Sequence, residues 1–251
     1  MKKEKDIYQF DDSIDPKIGK RKHLHLLNGK RLTGVTTILN VVAKPFLIPW
    51  AANMTAGFLK NKLKDVKELN QDEWEILLDE ARKAHTKKKE KAGSYGTKTH
   101  EAISKIIQLA IDESDGVIGE VLTEDKSIQN FVDWANKNEV KFLYSERNIW
   151  SKEMWTGGIC DIVCMLDGKR WVADIKTAKS GIYAENFWQT AGYDLMLQER
   201  GDPPADGYII LNLKENGEFL EKRSVSNADN IQAFKSCLSI YRIKAKTNNN
   251  I

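Results

Sequence analysis

Two apolar runs flank a single turn signal between Trp155 and Lys176, WTGGICDIVCMLDGKRWVADIK, with Asp167-Gly168 between them. An Asp-Gly pair in that position predicts a two-residue β-hairpin. The turn sets the register, so Leu166 faces Lys169, Cys164 faces Trp171 and Asp161 faces Asp174. Lys176 falls on the face of Asp174, one step further on, because successive strand side chains alternate. Cys160, Ile162, Cys164, Trp171, Ala173 and Ile175 make up the other face, which is apolar throughout and predicts a core side. Directly opposed carboxylates have Cβ atoms roughly 4.5–5.5 Å apart and destabilise a hairpin unless positive charge lies between them. The pattern therefore points to a bound cation. The plainer alternative is one solvated aspartate at a strand edge and one paired with Lys176, because Asp-x-Lys alone is a short pattern.

The rest of the chain divides by the same signals. Residues 1–20 are polar and expected to be loosely held. HLHLLNGKRL predicts a hairpin turning at Asn28-Gly29, with His23 and His25 on one face as a pair that is either metal-binding or ordinary strand surface. VTTILNVVAKPFLIPWAANM predicts a short helix broken near Pro45, then a helix with Pro49 and Trp50 in its first turn. This segment is apolar and expected to pack on the core. Trp74, Leu77, Leu78 and Ala81 recur at helical spacing and mark a helix over 72–91. Gly93-Ser94-Tyr95-Gly96-Thr97 predicts a break, followed by a helix over 98–111 in which His100, Ile103, Ile107 and Ala110 share a face. After a polar loop at 113–120, Ile128, Phe131, Val132 and Ala135 mark another amphipathic helix. KFLYSERNIW, residues 141–150, reads as a strand beside that of Asp161, carrying Glu146 as a site carboxylate or a partner for a nearby cation. A helix over 184–200 places Gln189 and Tyr193 four apart on one face. YIILNLK is a buried strand, Asn216-Gly217 turns, FLEKRSVS returns, a helix covers 229–244, and the NNNI tail is expected to fray.

Composition changes this picture little. The 251 residues are 41% hydrophobic, enough for one well-buried core. A net charge of +3 says little about partners. Locally, Arg82, Lys83, Lys87, Lys88, Lys89 and Lys91 stand against Glu90 alone. Capping of a helix C-terminus accounts for some of these cations, and the excess suggests a phosphate-contacting surface. Three cysteines match no disulfide framework or zinc spacing. With no apolar stretch of about 20 residues and no h-region after MKKEKD, the expectation is a chain in a reducing, intracellular compartment, off the membrane.

Gly96-x-x-x-His100 opening a helix, Gly158-x-x-Asp161 on a strand, Asp174-Ile175-Lys176-Thr177 on its partner and Gln189-x-x-x-Tyr193 on the next helix occur in the order of the PD-(D/E)XK nuclease superfamily. Over roughly residues 80–215 the chain resembles the branch of RecB-type, phage and CRISPR-associated exonucleases and the mitochondrial genome maintenance exonuclease. The resemblance implies an α/β, restriction-endonuclease-like core with a central mixed sheet flanked by helices. It implies a single domain over 1–251: a mainly helical N-terminal elaboration (1–80), the catalytic core (81–215) and a C-terminal strand and helix (216–251). By matching position, His100, Asp161, Asp174 and the Ile175 carbonyl would bind Mg²⁺ or Mn²⁺. Asp161, Asp174 and Lys176 would be catalytic, while Gln189 and Tyr193, with Lys87, Lys88 and Lys89, would serve DNA. Ala173 stands where the superfamily's name-giving proline would be. The cysteine cluster of some relatives is missing, so no iron–sulfur cluster is expected. The implied activity is a metal-dependent deoxyribonuclease, an exonuclease of phage replication, recombination or repair. A recombination or single-strand-binding partner protein and an oligomer are compatible with it. The alternatives are a silent nuclease-fold subunit that binds DNA or assembles, and RNA as the substrate.

Overall fold

A computed structural model describes residues 6–17, 19–65 and 68–248. The strands are β1 (Tyr8–Asp11), β2 (Ile14–Asp15), β3 (Lys20–Arg21), β4 (Leu24–Leu27), β5 (Lys30–Arg31), β6 (Thr33–Gly34), β7 (Lys141–Ser151), β8 (Thr156–Leu166), β9 (Lys169–Lys176), β10 (Gly207–Leu213) and β11 (Phe219–Ser224). The helices are α1 (Val35–Leu39), α2 (Leu47–Lys62), α3 (Gln71–Glu113), α4 (Lys126–Lys137), α5 (Ala184–Glu199) and α6 (Asn227–Asn248). Val42–Lys98 forms one compact unit, and the chain on either side of it forms another. The expectations for the two ends fall partly on residues 1–5, 18 and 249–251, outside the described residues. β1 pairs with β4 and β2 with β3, so Tyr8–Asp11, Ile14–Asp15 and Lys20 are held in ladders, where the sequence predicts loose chain.

The larger unit is mixed α/β. Its sheet runs β11-β10-β9-β8-β6, with β7 also on β8. The hairpin forms in the expected register from Leu166↔Lys169 to Ile162↔Ala173. Asp167 and Gly168 both have positive φ, 53° and 71°, as a two-residue turn that follows strand twist requires. β9 and β10 are parallel, joined through α5, and a crossover of that kind lays a helix on the sheet.

Both faces are consequently buried. On one, Ile103 and Ile107 of α3 and Phe131 and Ala135 of α4 pack against Ile162, Cys164, Trp171, Ala173 and Ile175. On the other, α5 covers the sheet and α6 covers α5, close enough that a Cβ on Gly192 would lie 2.8 Å from Phe234. Met196 and Leu197 of α5 are fully buried, each contributing about 1.5–3 kcal/mol relative to exposure.

Two expectations are corrected here. The break at 93–97 does not occur: α3 is one helix of 43 residues. Each glycine weakens a helix by only about 1 kcal/mol, which long helical flanks outweigh, and Thr97 Oγ1 donates to the Gly93 carbonyl. The apolar segment from Thr36 also splits in its fate. Ile38 and Leu39 of α1 are buried with Val35, whereas α2 buries no residue. In the Val42–Lys98 unit, Trp74, Ile76 and Leu78 are exposed and Ala81 is buried.

Candidate metal centre

Asp161 lies where both ladders of β8 give way. On the β9 side pairing stops at Ile162↔Ala173, and the Ile175 amide donates to Asp161 Oδ2 at 2.8 Å. The amide and carbonyl of one strand residue point to the same side, so the Ile175 carbonyl is turned toward the same gap. On the β7 side, Ser145 pairs with Ile162 and Arg147 with Cys160, and Glu146 between them pairs with nothing. Glu146 has φ 47°. That left-handed conformation costs an ordinary residue about 1–2 kcal/mol. Its effect is to turn the strand over: residues three apart on a regular strand face opposite ways, yet Arg147 stacks on the Tyr144 ring at 4.0 Å. Backbone strain of this kind gathers at functional sites.

The turned strand lets side chains from both helical layers reach one set of carboxylates. From α3, His100 Nδ1 lies 3.4 Å from Glu146 Oε1 and 3.6 Å from Asp161 Oδ2. Ligand atoms of these three residues all lie within 4.8 Å of one another. From α5, Gln189 Nε2 donates to Asp174 Oδ1 at 3.0 Å and to Tyr193 Oη at 2.8 Å. Lys176 Nζ donates to Gln189 Oε1 at 3.1 Å and lies 2.5 Å from Asp174 Oδ2. That contact is an ion pair, and Asp174 Oδ2 accepts no well-aligned hydrogen bond among the described residues. Gly158 belongs to the same construction, because a Cβ there would sit 2.7 Å from Tyr193 Cε1.

The electrostatics are those of crowded acids. Burial first, then the charge of Asp174, raises the Asp161 pKa to about 7, against the pull of His100 and Lys176. For His100, burial alone would lower the pKa. The hydrogen bond that its ring donates to Glu146 and the charges of Asp161, Asp174 and Glu146 together override it and raise the value to about 9. Burial and then the two aspartates push the Tyr193 phenol well above its usual range. The group thus holds protons that a divalent cation would displace. Its oxygen and imidazole donors suit Mg²⁺ or Mn²⁺.

The residues singled out in sequence fall into three places. His100 and Asp161 meet, with Glu146, within 4.8 Å, and the Ile175 amide bonds Asp161. Asp174 is outside that group, pairs with Lys176 and acts on His100 and Asp161 through its charge. His100 lies inside a continuous helix, not at the start of one. Gln189 and Tyr193 are only 8% and 5% exposed, so they lie beneath the carboxylates and hold Asp174 and Lys176. Lys87, Lys88 and Lys89 are exposed on the Val42–Lys98 unit, Lys87 being 3.9 Å from Glu80. Glu146, whose role was open, sits against His100. The signal for it is Ser145-Glu146-Arg147-Asn148, four polar residues in succession that break the alternation of the strand. Of the histidine pair, His25 is buried and contacts Tyr8 Oη through Nδ1 at 2.6 Å. Burial, then His23, lowers its pKa to about 4. It is a packing residue.

No protein-family model matches the chain, and no curated protein matches it. Among solved structures, the chain aligns with the one titled "Crystal structure of SSO0001" at 12% identity, over 74% of this chain and 84% of that one, with a TM-score of 0.26. A likeness of that size carries no argument about function.

Proposed function

We propose that the chain is a divalent-metal-dependent deoxyribonuclease of the PD-(D/E)XK type, an exonuclease acting from a DNA end. The observation that carries this reading is the meeting of His100, Glu146 and Asp161 within 4.8 Å, beside an Asp174–Lys176 pair held from below by Gln189. Carboxylate and imidazole donors next to a positioned lysine are what phosphodiester hydrolysis asks of a protein. His100, Glu146, Asp161, Asp174 and the Ile175 carbonyl would hold the ion. When bound, it supplies Lewis acidity toward a phosphoryl oxygen and a water acidified toward neutrality.

The chain's own residues do the rest. Gln189 fixes the Asp174 carboxylate with its amide nitrogen and the Lys176 ammonium with its amide oxygen, so one side chain sets the spacing of both. Tyr193 fixes Gln189, and Gly158 leaves room for the Tyr193 ring. Lys176, with its side chain 23% exposed, can orient an attacking water or meet charge developing on the phosphate. Lys87, Lys88 and Lys89 would contact DNA phosphates, a sequence-independent and salt-sensitive interaction.

Digestion of end-labelled linear DNA and of closed circular DNA, each with Mg²⁺, with Mn²⁺ and with EDTA, tests the proposal. Shortening of linear DNA that needs the metal, with circular DNA left intact, is expected. Metal-independent cleavage, or none of either DNA, would refute it.

A further inference from the structure

We infer that Asn212 is a positioning residue for Lys176, an inference that rests on the metal-dependent reading above. Asn212 lies near the carboxyl end of β10, in parallel register with Lys176 on β9. The two side chains leave the sheet on the same face, from strands about 4.8 Å apart. Asn212 is fully buried. Its Nδ2 donates to the Ala178 carbonyl at 3.0 Å, which settles the amide's orientation, since only the NH₂ end can donate. Oδ1 is therefore buried, and it accepts no hydrogen bond among the described residues. An unpaired buried amide oxygen is destabilising, a cost that a leucine in this otherwise apolar stretch, IILNL, would avoid.

The neighbouring ammonium can use that oxygen. Lys176 has three protons to donate; one goes to Gln189 Oε1, and the ammonium is ion-paired with Asp174 Oδ2. Once Asp174 Oδ2 serves as a metal ligand, its contact with the ammonium is shared. The acceptors then left to Lys176 are two neutral amide oxygens, Gln189 Oε1 from α5 and Asn212 Oδ1 from β10. Neutral acceptors on two sides hold the lysine without cancelling its charge, which stays available to the attacking water or the phosphoryl oxygens. The Ala178 bond keeps Asn212 from rotating away.

The test compares wild type with Asn212→Leu and the isosteric Asn212→Asp in the full chain, using isotope-labelled lysine for NMR with Mg²⁺ and cleavage kinetics on end-labelled DNA. In wild type with Mg²⁺, the Lys176 ammonium should give a slowly exchanging correlation. Asn212→Leu should lose it while Mg²⁺ affinity is unchanged, and kcat should fall about 10²-fold with KM preserved, the scale of misplacing a reacting group by an ångström. Asn212→Asp should keep the correlation and still lose kcat, because the added charge neutralises the lysine. It also decides the matter if Asn212→Leu fails to fold. An Asn212→Leu protein, or an Asn212→Asp protein, with wild-type kcat overturns the inference alone. Wild type that binds no Mg²⁺ removes the metal-dependent reading as well.

Discussion

Binding of a divalent ion should displace protons, and the affinity should climb steeply with pH. The perturbation is a change from about pH 6 to about pH 8 at constant ionic strength. His100, raised to about 9, is an imidazolium over this range, and Asp161, raised to about 7, passes from mostly protonated to mostly ionised. Ligation requires the neutral imidazole and the ionised carboxylate. Below its pKa each displaced proton makes affinity rise tenfold per pH unit, so Mn²⁺ affinity should gain about 10²–10³ across the two units. Calorimetry in two buffers of different ionisation enthalpy measures the protons released directly, and at pH 7 it should find between about one and two per ion. Affinity that is level between the two pH values, with no proton release, would refute the ligand assignment of His100 and Asp161.

Three further outcomes follow from the same geometry. Both His100 and Asp161 have folded-state pKa values above their ordinary ones, 6.5 and 3.8, so the stability they contribute is complete below those values and is lost as pH rises through about 9 and about 7. In EDTA, Asp161→Asn, which keeps an oxygen for the Ile175 amide, should therefore stabilise the protein by roughly 1–3 kcal/mol at pH 8 and by little at pH 4; thermal melts at the two pH values decide it. Gly158→Ala should destabilise by about 1–3 kcal/mol in urea denaturation, because its Cβ meets Tyr193 at 2.7 Å in a packed interior; an unchanged midpoint would deny that Tyr193 is fixed there. Gly93→Ala, whose Cβ would meet nothing within 4 Å, should stabilise by about 1 kcal/mol if α3 is continuous, and destabilisation in the same assay would restore the break.

Much of this site could be read from the chain because it rests on local rules. Asp167-Gly168 fixes one hairpin register, which sets Lys176 on the face of Asp174, but the expected Asp161–Asp174 pair does not form: the ladder ends at Ile162↔Ala173 and the Ile175 amide bonds Asp161 instead. The spacing of Gln189 and Tyr193 likewise made them helix neighbours. What could not be read depends on tertiary contact. Glu146 is neither glycine nor asparagine, so nothing local announces its left-handed backbone, which arises where β7 turns over beside β8. The glycines of α3 weaken a helix without ending it, and only the long flanks decide that contest. The apolar pattern of α2 marked a helix correctly, whereas its exposure depends on what covers it. The burial of Gln189 also lay beyond sequence, since a glutamine on a helix shoulder is ordinarily wet until the opposite carboxylate and lysine are seen to bind it.

The most direct measurement is cleavage of end-labelled DNA with Mg²⁺ by Lys176→Ala and Asp174→Ala, with DNA binding followed by fluorescence anisotropy on the same preparations. Both variants should bind DNA nearly as wild type does and cleave none of it. Wild-type rates from either would contradict a mechanism in which Asp174 holds the ion and Lys176 serves the bond being broken.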